Sequence, residues 1–137
     1  MRTLLLAVVG VVALATAAAA QAVRPFDTMQ FYTEEEFRAA VAPDAAAAAA
    51  HANDATAQYW LGVAYLHAAR QYRAGLSPWA SGALAQATQA LERSVSLGAT
   101  LPAVLALWDA YVMAGDVEKA LDLITRAGAM APPLPPK

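Results

Sequence analysis

Residues that start and stop helices divide the second half of the chain into short segments, and this feature restricts the fold more than any other. N-cap types stand at the starts of these segments and glycine follows their ends: Asp54, Ser77, Thr100 and Asp116, then Gly75, Gly98 and Gly115. An N-cap side chain accepts hydrogen bonds from free amides of the first turn, and glycine readily closes a helix. No segment alternates apolar and polar residues, as a half-buried strand would. The sequence therefore predicts an all-α protein.

A further helix is predicted before these segments. Thr33 and Glu36 form the pattern of a capping box, in which each side chain bonds to the amide of the other residue. Phe37 and Val41 follow at a spacing of four, which puts both on one face of a helix. This helix is expected to start at Glu34 and to pack on the helices that follow.

Pro43 is predicted to end that helix at about Ala42, because proline disfavours α geometry in the residue before it. Asp44 would then cap the six alanines at 45–50. Two interpretations of this alanine run stay open. It is either a helix that packs closely on a neighbour or a lightly ordered connector.

Residues 1–22 have the three parts of a secretory signal peptide. A positive charge at Arg2 is followed by an uncharged apolar run, and small residues then offer cleavage after Ala20 or Ala22. An uncleaved membrane anchor is the alternative, since the apolar run is nearly long enough to span a bilayer. Cleavage predicts a periplasmic or secreted bacterial protein with no membrane span in the mature chain.

Charge and cysteine content limit the classes of partner. The formal net charge is −2, and it becomes −3 when Arg2, the one charged residue of the signal segment, is removed. An acidic balance argues against nucleic acid as a partner. The chain has no cysteine, which excludes disulfides and lipidation on cysteine. Packing alone must hold one helical domain at 34–132, between an extended arm at 23–33 and a proline-rich tail at 133–137.

The chain contains an internal repeat. Its second copy combines leucine, tyrosine, glycine, two alanines and a closing proline at fixed spacing: Leu107, Tyr111, Gly115, Ala120, Ala127 and Pro132. This pattern resembles the tetratricopeptide repeat, a 34-residue helix–turn–helix unit, with Ile124 at the usual aromatic position. Val104 and Trp108 depart from it, where the family has tryptophan and a small residue. The Trp108 ring is therefore expected to widen a helix contact or displace a neighbour.

An earlier copy of the repeat is more divergent. Its matching positions are Leu61, Gly62, Tyr65, Ala87 and Leu91. Tyr65 and Tyr111 are 46 residues apart, whereas Ala87 and Ala120 are 33 apart, so the first copy holds about 13 extra residues between its helices. These residues are predicted to lengthen both arms of the hairpin, with Ser77 and the following proline starting the second arm.

The resemblance implies antiparallel helix hairpins stacked as a short right-handed superhelix. Stacking is required because one hairpin cannot bury its apolar face alone. The family normally needs three or more repeats, and this chain has two. The helices before residue 53 are therefore expected to act as an irregular third pair or a cap, and a homodimer is another solution.

The tetratricopeptide family typically binds peptides or protein segments on the concave face that the first helix of each pair forms. Carried over by position, this groove comprises eight residues: Tyr59, Val63, Leu66, His67, Leu105, Asp109, Val112 and Met113. The basic and amide residues with which the family clamps a C-terminal carboxylate are absent, so the implied partner is an apolar segment or helix. The alternative is that the alanine-rich helix covers several of these residues.

No pattern in the sequence indicates catalysis. His51 and His67 lack acidic or cysteine partners at metal-ligand spacing, and no phosphate loop or nucleophile elbow is present. The glutamates at 34–36 are interpreted as helix-capping residues. We therefore expect no enzyme, cofactor or metal site, and an enzyme or small-ligand carrier is the least favoured alternative.

The last segment is predicted to be the second arm of the final hairpin. Ala120 and Ala127 are expected to let the arms approach, while Leu121 and Ile124 supply contact. Its charged residues favour a solvated outer face: Glu118, Lys119, Asp122 and Arg126. The expected function is a protein-interaction or scaffold module of the cell envelope, or alternatively a permanent subunit of an envelope complex.

Overall fold

The computed structural model describes Phe31 and residues 33–130. The predicted signal segment at 1–22, the closing Pro132 and the tail at 133–137 lie outside the described residues, as does most of the predicted arm at 23–33.

Five α-helices make up the described chain. In order they are α1 (Glu34–Ala50), α2 (Ala55–Arg73), α3 (Ala83–Leu97), α4 (Leu101–Ala114) and α5 (Val117–Met130), with a 3₁₀ turn at Pro78–Ala80 between α2 and α3. Each helix packs against the next, and α2 also contacts α4. The described residues form no strand. The prediction of an all-α stack is confirmed: α2 pairs with α3, α4 pairs with α5, and α1 packs on α2.

The predicted end of α1 is wrong, because the helix continues through Pro43. An interior proline removes one helical hydrogen bond and crowds the carbonyl one turn back, at a cost of about 3 kcal/mol. Pro43 and Ala39 are both exposed, so water can satisfy the carbonyl that loses its donor. The strong helix propensity of the alanines at 45–50 and the burial of Val41 and Ala48 on α2 offset the cost.

Four predicted N-caps form as expected: Thr33, Asp54, Thr100 and Asp116. Asp44, which was predicted to cap the alanine run, instead lies buried inside α1 because the helix does not end at Pro43. In the capping box, Thr33 Oγ1 accepts from the Glu36 amide at 3.2 Å and Glu36 Oε2 accepts from the Thr33 amide at 3.1 Å. Gly115 follows α4 with φ of 78°, in the left-handed region that glycine adopts without strain. Local sequence signals therefore set most of the helix ends.

Ser77 does not cap a helix, contrary to the prediction. Its hydroxyl lies 3.1 Å from both the Phe31 carbonyl oxygen and Gln71 Oε1. Because a hydroxyl has one proton, it donates to one of these two oxygens at a time. The residues that follow form the separate 3₁₀ turn, and α3 begins only at Ala83. The extra length of the first hairpin thus lies in α2, which has 19 residues, and in the turn, whereas α3 has 15.

Two clusters of buried side chains hold the stack together. In the first, which joins α1, α2 and the 3₁₀ turn, the Phe37 ring contacts three other rings at centroid distances of 5.5, 5.4 and 5.2 Å: Phe31, Tyr65 and Trp79. The second cluster joins α2 to α3, α4 and α5, and it contains Leu66, Ala87, Leu91, Leu107, Ala110, Tyr111 and Ala120. The C-terminal hairpin is therefore anchored to the stack mainly through α4.

Candidate interaction surface

One side of α4 is apolar and uncovered. Its exposed residues recur at spacings of four, three and four: Leu101, Leu105, Trp108 and Val112. Leu101 is 70% exposed and even the Trp108 ring is 39% exposed. The helix carries a single charged residue, Asp109. A helix that is apolar all round is normally buried all round, so this exposure calls for an explanation.

The apolar side of α5 also faces solvent. Val117, Leu121 and Ile124 are 62%, 64% and 42% exposed, and they have the same spacing of four and three. Ala120 is the only fully buried residue of this helix. A surface helix of a monomer normally turns its apolar stripe inward and its polar face outward. In α5 the apolar stripe is turned outward.

These findings correct two expectations about the last helix. Leu121 and Ile124 lie outside both buried clusters and remain 64% and 42% exposed, and the outer side of α5 carries apolar residues beside its charged ones. Ala120 does lie in the contact with α4, as predicted, and is 4% exposed. The Trp108 ring, which was expected to widen a helix contact, lies outside both buried clusters and is 39% exposed.

We call the uncovered side of the C-terminal hairpin the apolar face, and it consists of Leu101, Leu105, Trp108, Val112, Val117, Leu121 and Ile124. None of these side chains is charged or carries a hydroxyl or amide group. So many exposed apolar side chains on one helix hairpin are uncommon on a monomer, and exposed apolar surface marks a contact site for another molecule.

Charged residues near the apolar face already have partners within the chain. Lys119 Nζ lies 3.3 Å from Asp116 Oδ2, and Arg126 pairs with Asp122 one turn away. Asp109 forms an ion pair with Arg70 of α2, and Asp109 Oδ2 accepts a hydrogen bond from Arg70 Nε at 3.2 Å. A second tie joins the same helices, since Arg73 Nη1 donates to the Met113 carbonyl at 3.2 Å.

The structure divides the eight predicted groove residues among three environments. Leu105 and Val112 belong to the apolar face. Tyr59, Val63 and Met113 are half-buried, and Asp109 is held by Arg70. Leu66 and His67 are buried, at 2% and 6% exposure, and so form part of the core rather than of an open groove.

Phe31, which lies before α1, covers part of His67. The Phe31 ring stands edge-on to the imidazole at a centroid distance of 6.1 Å. Gln71 Nε2 lies 3.0 Å from His67 Nε2, and because an amide nitrogen can only donate, it donates to the imidazole. His67 therefore holds a structural position at the hairpin tip.

A groove of about 1100 Å³ lies beside the apolar face, between α3 and the C-terminal hairpin. Val95, Val104 and Leu123 contribute apolar walls. Tyr111 also lines it, and its hydroxyl donates to Glu92 Oε1 at 2.7 Å. Burial, and then the hydrogen bond to Glu92, raise the pKa of Tyr111 above its ordinary value. The tyrosine thus stays neutral and acts as a tie between α3 and α4.

A second groove, of about 580 Å³, lies between α1, α2 and α3, and both polar and apolar residues line it, among them Gln58, Leu61 and Gln86. Within the described part of the chain, no three acidic, histidine or cysteine side chains gather as a metal site would require. None of the helices from α1 to α5 combines the length and the apolar content needed to cross a membrane.

Sequence reasoning missed most of the apolar face. The signal was present in the composition of α4, where Asp109 is the only charge in 14 residues. In α5 the stripe at Val117, Leu121 and Ile124 was visible, but spacing alone does not say whether a stripe meets its own chain or another. The charged residues on the same helix led to the prediction of a solvated outer face, whereas apolar residues are exposed there as well.

Comparisons with protein-family models, with curated proteins and with solved structures each found no match. The resemblance to the tetratricopeptide repeat therefore rests on the residue pattern at 107–132 and on the helix hairpins themselves.

Proposed function

We propose that this chain is an exported protein-interaction module of the bacterial cell envelope, which holds a partner protein on its apolar face. The observation that carries the proposal is the outward apolar stripe of α5. In that helix Leu121 is more exposed than any residue of the contact with α4. Leaving such side chains in water costs free energy that docking would recover, at about 25 cal/mol per Å² of apolar surface.

The surroundings of the apolar face define the chemistry of the partner. Four charged residues of the C-terminal hairpin are engaged within the chain, through the pairs Lys119–Asp116 and Arg126–Asp122. A partner held by charge would have to break these pairs. An apolar helix or helix hairpin would leave them at the rim, where they stay hydrated.

The helix hairpins and the resemblance to the tetratricopeptide repeat support the same conclusion. In stacked repeats each hairpin buries the open side of the one before it. The apolar face stands at the end of the stack, where a further hairpin would pack. We therefore propose the end of the stack as the docking site, in place of the groove that the family resemblance implied.

A permanent subunit of an envelope complex is the second candidate. The absence of any charged, hydroxyl or amide side chain from the seven residues of the apolar face favours it, because obligate interfaces are more apolar than transient ones. Dissociation rate separates the two candidates. A partner that exchanges within seconds supports the interaction module, and one that stays bound through purification supports the permanent subunit.

Site-specific photo-crosslinking in the cells that make the protein tests the proposal. A benzophenone side chain at Leu105 or Leu121 is expected to crosslink a discrete protein. The matched control places it at Ala85, which is exposed on α3 away from the apolar face. Equal crosslinking from all three positions, or none from Leu105 and Leu121, would contradict the proposal.

Export is tested separately, with the full chain and mass spectrometry of the protein recovered from the periplasm or medium. The expected first residue is Gln21 or Val23, because cleavage should follow Ala20 or Ala22. Protein that keeps Arg2 and stays in the cytoplasm would rule out the envelope location without bearing on the apolar face.

A further inference from the structure

The spacing of the apolar face is that of a helix bundle. Leu101, Leu105, Trp108 and Val112 are separated by four, three and four residues. On α5 the same spacing runs from Val117 through Leu121 and Ile124. Apolar residues at alternating steps of three and four form a seam that packs against another seam with interlocking side chains. The hairpin thus presents two seams side by side.

A partner that covers this face must offer two neighbouring seams of its own. One isolated helix would bury one stripe and leave the other in water. A second copy of this chain meets the requirement, because its own C-terminal hairpin carries the same pair. Two-fold symmetry brings identical patches together, so a patch without charge meets no like charge across the axis.

The size of the face agrees with a dimer contact. Scaled by whole-residue areas, the seven exposed fractions amount to roughly 700 Å², close to the ~800 Å² that each partner contributes to a standard interface. The space above α5 is also open, since a Cβ placed at Gly128 would meet no atom within 4 Å. Nothing in the described chain obstructs the approach of a second hairpin.

We propose that the apolar face binds the same face of a second copy, so that two C-terminal hairpins form a four-helix bundle. This inference rests on the proposed function and names the occupant of its docking site. The bundle buries Trp108 and Leu121 of both copies and leaves α1 at the two far ends. The chain then closes its open end by symmetry rather than by a capping helix.

Sedimentation equilibrium of the full exported protein tests the proposal. The wild type is expected to be a dimer at micromolar concentration. Leu121→Asp should raise the dimer dissociation constant at least ~100-fold, because the dimer would bury an unpaired carboxylate on each copy. Ala85→Asp makes the same chemical change at an exposed site on α3 and should leave the constant unchanged.

A second measurement covers the case in which Leu121→Asp fails to fold. The chain has no cysteine, so one cysteine introduced at Ile124 or at Ala85 is the only thiol present. Mild oxidation should link two copies through Ile124→Cys and not through Ala85→Cys. Equal linking at both positions overturns the proposal, since it shows contact without preference for the apolar face.

A wild type that stays monomeric at high concentration also overturns the proposal, as does a dimer that Leu121→Asp leaves intact. The proposed function fails differently, when Leu105 and Leu121 give no specific crosslink to any protein in cells. A monomer whose apolar face crosslinks a different protein therefore rejects the second copy as occupant and keeps the interaction module.

Discussion

At the N-terminal end of the stack, α1 lays Phe37 and Val41 on α2, where both are less than 5% exposed. At the C-terminal end, α5 holds Leu121 and Ile124 out in water. Both helices are the last of a series and both have apolar residues at helical spacing. The outer side of α1 carries glutamates and alanines, as a cap should. The outer side of α5 carries the residues that a neighbour would bury.

The difference shows that α1 and α5 have different roles at the two ends of the stack. A cap turns its apolar residues toward the chain and so ends the stack. A helix with its apolar stripe turned outward leaves that end of the stack open among the described residues. If the N-terminal end is closed and the C-terminal end is open, matched substitutions at the two ends should have unequal effects.

Truncation of one large aromatic residue at each end gives the largest contrast. Phe37→Ala removes a ring that is 3% exposed and contacts three others, so it should lower the free energy of unfolding by about 3–5 kcal/mol. Trp108→Ala removes a ring outside both buried clusters. It should change the free energy of unfolding of the monomer by less than about 0.5 kcal/mol. Urea unfolding at low protein concentration measures both. Equal losses would contradict the account.

Two glycines probe filled and open space. A Cβ at Gly62 would stand 2.5 Å from Leu91 Cγ, so Gly62→Ala should overpack the contact of α2 with α3 and cost about 1–3 kcal/mol. Gly128→Ala meets no atom within 4 Å and should stabilise α5 by about 0.5–1 kcal/mol, through its better helix propensity. Thermal unfolding of the two variants should therefore shift in opposite directions.

The tie through Tyr111 should depend on pH. Tyr111→Phe removes the bond to Glu92 and should cost about 1 kcal/mol at neutral pH. The native pKa of Tyr111 is raised above the unfolded value of about 10. The contribution of Tyr111 to the free energy of unfolding is therefore complete below pH 10 and declines as the pH rises further. The wild type should thus lose stability above pH 10 faster than Tyr111→Phe. Tyr72→Phe, at an exposed site on α2, is the control.

The smallest effect is expected from the ion pair between α2 and α4. Arg70 and Asp109 are both partly exposed, so their coupling should be about 0.2–1 kcal/mol in a double-mutant cycle with Arg70→Met and Asp109→Asn. Added salt should reduce it. A coupling above about 2 kcal/mol would show that this pair, rather than the apolar contacts of α4, anchors the C-terminal hairpin.

Sequence reasoning was most successful where a structural signal lies within a few residues. Asp54, Thr100 and Gly115 act on amides and carbonyls of the adjacent turn, so the helix ends that they set were predictable. Pro43 misled because its cost is local, whereas the burial that offsets it involves α2. Ser77 misled for the same reason, since its hydroxyl bonds to Phe31, 46 positions earlier.

The candidate surface was harder to predict because it depends on which side of a helix stays uncovered. Leu105 and Val112 were named in advance, and both belong to it. Leu66 and His67 were predicted by the same positions of the repeat, but they contact α3 and Phe31. Only the three-dimensional arrangement distinguishes these buried residues from the exposed Leu105 and Val112. On α5 the small side chain of Ala120 packs against α4, and the adjacent Leu121 is exposed.

Hydrogen exchange in the dilute protein tests most directly whether the C-terminal end is open. Because α5 is joined to the stack through few buried residues, its amides should exchange at least ~10-fold faster than those of α2 at the same concentration. They should slow as the concentration rises and the apolar face is covered, while α1 stays unchanged. Protection of α5 equal to that of α2 in the dilute monomer would contradict the account, since it would mean that the chain already covers its own apolar face.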